Sequence, residues 1–115
     1  MSNINNHSLD IVANNLGLEE AVEMFEYALP HISQRRDELR KHISISDWEA
    51  AGQCVHRTLS SVNLYGSDRL EELLLQVKLA STGEVEPSTL NQELSKEFDN
   101  VLQSIKQWLA THTSS

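Results

Sequence analysis

Apolar residues recur at alternating steps of three and four along most of this 115-residue chain, and that regularity decides its fold class. Such spacing stacks apolar side chains on one face of a helix, whereas a half-buried strand needs alternation at every second residue. No stretch shows convincing strand alternation. Aromatics at 5%, with four Gly and two Pro, also disfavour a sheet of many short strands.

Five helices follow from the pattern. The first starts at Ser8 as N-cap and runs through Leu9, Val12 and Leu16 to a stop at Gly17. The second is long, with Leu18, Val22, Phe25, Leu29, Ile32, Arg36, Leu39 and Ile43 on one stripe. Arg36 interrupts the stripe, but its aliphatic stem can lie along the edge of a core. Pro30 removes one backbone hydrogen bond, and because the apolar phase continues beyond it a kink is expected, not a break. The third opens at "SDWE", where Ser46 as cap and Glu49 reaching back would make a capping box, and its stripe is Trp48, Ala51, Val55, Thr58, Val62 and Tyr65. Gly66 then serves as C-cap and Ser67 as the next N-cap. The fourth stripe is Leu70, Leu73, Leu74, Val77 and Ala80, ending near Gly83. After the loop "TGEVEPS", a fifth helix starts at Pro87 or Thr89 and buries Leu90, Leu94, Phe98, Val101, Ile105 and Trp108.

Long amphipathic helices joined by short turns cannot bury their stripes singly. The expected fold is all-α, an antiparallel up-and-down four-helix bundle with the short first helix lying across one end. The length suits a single domain, residues 1–115, with an ordered core over about 8–110 and disordered ends "MSNINN" and "THTSS".

The formal net charge of -8 would repel an extended phosphate backbone, which excludes nucleic acid as a partner. The single cysteine, Cys54, allows no internal disulfide and no cysteine-based zinc site, suits a reducing cytosol, and reads as a small half-buried apolar residue. No segment approaches the ~20 apolar residues of a membrane span, and the start lacks the basic and apolar regions of a secretory signal. A monomeric, cytoplasmic protein with no membrane partner is expected.

The third helix carries the one arrangement that suggests chemistry. In "DWEAAGQCVHRTLSSVNLYGSDRL", Asp47 to Leu70, the imidazole of His56 shares its helix face with Glu49, Gly52, Gln53, Ser60 and Asn63, with Leu59 at the edge. Gly52 lies one turn before the ring and Ser60 one turn after it, so the imidazole stands proud between small neighbours. Glycine inside a helix costs about 1 kcal/mol relative to alanine, so Gly52 is either simply tolerated or leaves room for another surface. A proud imidazole on a rigid helix is a competent nucleophile near neutral pH. Nothing completes a hydrolytic site: there is no nucleophile elbow, no phosphate-cradling glycine loop, no carboxylate pair in a cleft and no metal-ligand His spacing. His7 and His112 fall in termini expected to fray, and His31 and His42 stand singly as solvated surface residues. Asp37, Glu38, Glu71 and Glu72 read as ordinary charges on solvated faces.

These residues resemble a known family. "HRTLSSVNLYGSDRL" resembles the signature of histidine phosphotransfer (HPt) domains, the four-helix-bundle modules of multistep phosphorelays. His56 matches the phosphorylated histidine, Ser60 and Ser61 the small pair that follows it, Gly66 the glycine at plus ten, and Arg69 and Leu70 the start of the next helix. Upstream, "EMFEYALP" resembles the phenylalanine-to-proline segment of the second helix, and "DWEAAGQCVH" the Asp nine residues before the histidine. The resemblance spans roughly Leu9 to Leu109. One departure is plain: where the family usually has Leu-Lys at plus two and plus three, this chain has Thr58-Leu59. The lysine that would steady the phosphoryl group is missing. Thr58 takes the core-facing site, where it can bond back to the carbonyl of Cys54, and Leu59 becomes an exposed apolar residue beside the histidine. Arg57 is the nearest remaining cation, but points ~100° round the helix.

The resemblance implies a phosphocarrier with no catalytic turnover of its own and no resident cofactor. Its partners would be response-regulator receiver domains, which supply the aspartyl phosphate and the divalent metal, together with a hybrid histidine kinase. Gly52, Gln53, Arg57, Leu59, Ser60 and Asn63 would surround the phosphohistidine and meet the receiver. The alternatives are a degenerate HPt-like bundle that binds a receiver or kinase without being phosphorylated, favoured by Leu59, and an unrelated helical adaptor. A dimerising kinase domain is disfavoured, because these helices suffice for a monomeric bundle and no ATP-binding motif accompanies them.

Overall fold

The computed structural model describes residues 6–62 and 68–113, with side chains from 9–61 and 68–113. Among these the protein is all-α: α1 (Asn6–Leu16), α2 (Leu18–Ser44), α3 (Trp48–Val62), α4 (Asp68–Leu75), α5 (Val77–Ser81) and α6 (Pro87–Thr113). None of these helices is long and apolar enough to cross a membrane. The most extensive contact joins α2 and α6; α3 packs on α2, α4 and α5, while α6 also meets α4 and α5, and α1 packs on α2 and α6. A single apolar cluster draws on all six, with Leu9, Phe25, Ala51, Leu74, Val77 and Phe98 among its members.

Helix ends follow local chemistry. Gly17 takes φ +94, in the left-handed region that favours glycine, and separates α1 from α2. Because α1 already includes Asn6, Ser8 lies inside it and is not its cap. At the start of α3 the cap is Asp47, whose carboxylate accepts from the backbone N–H of Ala50 at 3.2 Å while its carbonyl accepts from Ala51 at 2.9 Å. Ser46 instead adopts φ 57 to turn the chain, so the anticipated Ser46–Glu49 capping box does not form. Asp47 suits the position better because its charge also complements the positive end of the helix dipole. The expected caps Gly66 and Ser67, and Tyr65 on the α3 stripe, lie outside the described residues.

Where one helix was expected over the fourth stripe there are two, interrupted at Gln76. Leu70, Leu73, Leu74, Val77 and Ala80 are nevertheless all buried, because the interruption is tight enough to leave their phase intact. At the far end, Glu84 N–H bonds to Leu79 C=O at 2.9 Å and Gly83 N–H to Ala80 C=O at 3.1 Å, a Schellman closure made possible by φ +84 at Gly83. Pro87 then occupies the first position of α6, where its missing N–H is no loss.

The stripe on α2 is rotated from the expected one. Ala21, Phe25, Ala28, Ile32, Leu39 and Ile43 are buried, whereas Leu18 is 51% exposed and Val22 and Leu29 are only partly covered. The helix continues unbroken through the exposed Pro30. Arg36 is half-buried and reaches α6, donating from Nη1 to Asp99 at 2.7 Å and from Nε to Asp37 at 3.0 Å. Both carboxylates raise the guanidinium pKa, Asp37 foremost.

The anticipated α6 stripe is buried throughout, and Leu102, Leu109 and Glu97 join it. The chain stays helical further than expected at both ends, to Asn6 and to Thr113. His112 does not fray: its ring stacks on Trp108 at 4.0 Å and its Nδ1 lies 2.8 Å from the Trp108 carbonyl. Trp108 in turn meets Phe25 edge-on at 5.1 Å and donates its indole N–H to Asp10 at 2.9 Å, fastening α1 to the bundle.

Candidate functional site

The site is built on α3, whose inner face fixes the direction of its outer one. Ala51 and Cys54 are fully buried and Val55 and Thr58 nearly so, which locks the rotation of the helix about its axis. Thr58 donates its hydroxyl to the Cys54 carbonyl at 2.7 Å, so the polar group at this core position is satisfied as anticipated. Cys54 is completely buried, not half-buried, with its Sγ 3.8 Å from the Arg35 carbonyl. Burial, with a smaller contribution from Glu38, pushes its thiol pKa up, which holds it protonated and unreactive.

With that face inward, His56 points out and is exposed, together with Gly52, Gln53, Arg57 and Ser60. Leu59 differs from expectation: it is only partly exposed, because it packs against the core cluster. A Cβ added at Gly52 would meet nothing within 4 Å, so no internal contact requires glycine there. The Ser60 hydroxyl turns back to the Arg57 carbonyl at 2.7 Å, which keeps it low beside the imidazole. Asn63, the last of the expected surrounding residues, lies outside the described residues.

The imidazole lines two depressions. On one side, Trp48, Glu49, Gly52, Gln53 and Arg57 border an open hollow whose rim carries both a carboxylate and a guanidinium. On the other, α3 and the α4–α5 segment enclose a groove of about 380 Å³, walled by Trp48, Val55, Leu59, Leu74, Leu75 and Val77 and edged by Gly52, Lys78 and Ser81. Sequence reasoning missed Lys78, Trp48 and Leu75 as neighbours of His56. Spacing within α3 reveals which residues share its own face but not which residue of another helix will lie alongside.

Neither His31 nor His42 lines the two depressions beside His56, although His31 shares a third with Arg57 and Ser60. His31 is exposed and lies against Tyr27, ring centroids 4.5 Å apart. His42, expected on the solvated surface, is partly buried, with an Nδ1 that has no hydrogen-bond partner among the described residues.

Compared with known protein families, with curated proteins and with solved structures, the chain matches none.

Proposed function

We propose that this chain is a histidine-containing phosphocarrier, relaying phosphoryl groups between aspartates of response-regulator receiver domains through phosphohistidine at His56. The observation that carries the reading is the outward imidazole on a helix locked by its buried face, flanked by Gly52 and the folded-back Ser60 and open to a macromolecular surface. In this reading the bundle is antiparallel and up-and-down, its four columns being α2, α3, α4 with α5, and α6. Support comes from the ring of neighbouring pairs, α2–α3, α3–α4/α5, α4/α5–α6 and α6–α2, with no close backbone approach across either diagonal among the described residues.

The chemistry asks little of the carrier. The Nε2 lone pair of His56 forms a bond to phosphorus in line with the aspartyl oxygen, the P–O bond breaks, and its electron pair leaves on the aspartate. Nδ1 keeps its proton. The divalent metal and its carboxylates belong to the receiver, so the carrier contributes a nucleophile and a docking face and turns nothing over alone. A hybrid kinase upstream and receivers on either side of the transfer, all in the cytoplasm, are the partners in this scheme.

The test is transfer of labelled phosphate from a phosphorylated receiver. The native chain takes it up in a form labile to acid and stable to alkali, and His56→Gln does not. Label that persists undiminished in His56→Gln refutes the reading. The absence of lysine at Leu59 favours one alternative, a bundle that binds a receiver without being phosphorylated; binding without any label would select it.

A further inference from the structure

We infer that Lys78, reaching the His56 groove from α5, is the counter-charge for the phosphoryl group and takes the place left empty by Leu59. The inference rests on the phosphocarrier reading. The phosphoryl group adds up to two negative charges to a chain whose formal net charge is already -8, so a nearby cation has a direct effect on its free energy. Two cations line the depressions beside the imidazole. Arg57 borders the more open hollow, which it shares with Glu49, so an anion placed there also meets a carboxylate.

Lys78 is differently situated. Among the described residues neither Asp nor Glu lines the groove that it shares with His56, and apart from the imidazole it is the one ionisable side chain there. It forms no ion pair among the described residues, whereas Arg35, Arg36 and Arg69 are all engaged with carboxylates. The walls are apolar, which reduces screening relative to an open surface. Lys78 follows directly on Val77, which is buried at 3% exposure, so its backbone is anchored beside the groove while the flexible stem leaves the ammonium free to reach across it. A phosphoryl group on Nε2 that turns into this groove therefore meets one unopposed positive charge.

The experiment phosphorylates the full chain with phosphoramidate, which needs no partner. Nε2 forms the N–P bond, the P–N bond of the reagent breaks, and ammonia leaves. Phosphorus NMR then follows the signal that His56→Gln lacks, giving its lifetime at neutral pH and the midpoint of its phosphoryl titration. A cation beside the group favours its doubly charged form and opposes the protonation that speeds hydrolysis. Lys78→Gln should shorten the lifetime about two- to five-fold and raise the titration midpoint by a few tenths of a unit, the scale of one partly screened charge pair. Lys78→Arg should retain native values, Arg57→Gln should change them little, and Leu59→Lys in the Lys78→Gln background should restore them. The titration midpoint separates an electrostatic role from a packing role. Native lifetime and midpoint in Lys78→Gln, or effects that follow Arg57→Gln instead, overturn the assignment while leaving the phosphocarrier intact. Absence of phosphate on His56 of the native chain, from phosphoramidate and from a receiver alike, overturns both.

Discussion

Gly52 offers a perturbation whose effects on stability and on function should have opposite signs. It lies inside α3 on the exposed face, one turn before His56, and a Cβ built there meets no atom within 4 Å. Its φ is outside the left-handed region, so alanine fits the backbone as it stands. Gly52→Ala therefore removes the helix penalty of glycine without a clash, a gain of about 0.5–1 kcal/mol. For a chain of this length that corresponds to a rise of roughly 2–5 °C in Tm. Arginine is close to alanine in helix propensity, so Gly52→Arg should be at least as stable as the native chain.

Transfer should respond the other way if a receiver approaches at this point. Gly52→Ala loses little, while Gly52→Arg, projecting beside the imidazole, slows transfer by at least about ten-fold, the cost of displacing one well-packed contact of some 1.4 kcal/mol. Thermal and urea unfolding followed by helical circular dichroism give the first quantity, and single-turnover transfer from a phosphorylated receiver gives the second. A lower Tm in Gly52→Ala would refute the account of open space above this glycine. A folded Gly52→Arg that transfers at the native rate would refute the assignment of this face to docking.

Further outcomes follow from other contacts. Leu59→Lys exchanges a half-buried apolar side chain for one whose stem can follow the same path, so its stability cost is held to about 1 kcal/mol, roughly half that of exposing a buried leucine; receiver affinity and phosphohistidine lifetime measured separately show whether Leu59 is a docking contact, an unchanged lifetime with weaker binding being the signature. Asp10→Ala leaves the Trp108 indole N–H without its acceptor and should loosen α1 with a loss of about 1–2 kcal/mol, mostly recovered in Asp10→Asn, with faster amide exchange confined to α1 as the measurement. Cys54 should add a pH dependence: its folded pKa is raised above the unfolded value, so its contribution is fully present at neutral pH and is lost as pH rises past the ordinary thiol value of 9.0. Comparing unfolding free energies of the native chain and Cys54→Ala across that range isolates the effect, and parallel curves would contradict it.

What was legible in the sequence was what period alone controls. Helical class, the α6 stripe and the burial of Leu70, Leu73, Leu74, Val77 and Ala80 all follow from a three-and-four spacing that survives even the interruption at Gln76. Competition between neighbours was less legible. On α2 both the large residues and the small alanines lie at helical spacing, and period alone could not tell that Ala21 and Ala28 would be buried ahead of Leu18, Val22 and Leu29. At the start of α3 two adjacent residues could cap, and a positive φ at Ser46 leaves the cap to Asp47. The site divides in the same way. His56, Gly52, Gln53 and Ser60 were placed on one exposed face by helix geometry alone, with Arg57 turned away from it, whereas the partial cover of Leu59 and the place of Lys78 on the same groove depend on where the α4–α5 segment lies.

The same distinction reconciles an acidic chain with the anionic cargo proposed for it. Charges separated by more than about 8 Å are largely screened at physiological ionic strength, so a net charge of -8 spread over six helices weighs on an extended polyanion but little on one phosphoryl group. What such a group feels is its first few ångströms. Among the described residues Glu49 borders the hollow that Arg57 also lines, and no carboxylate borders the groove that Lys78 lines. A net charge read from composition therefore weighs against an extended polyanion without weighing against the phosphoryl group proposed at His56. The two conclusions concern different distances, and only the fold supplies the shorter one.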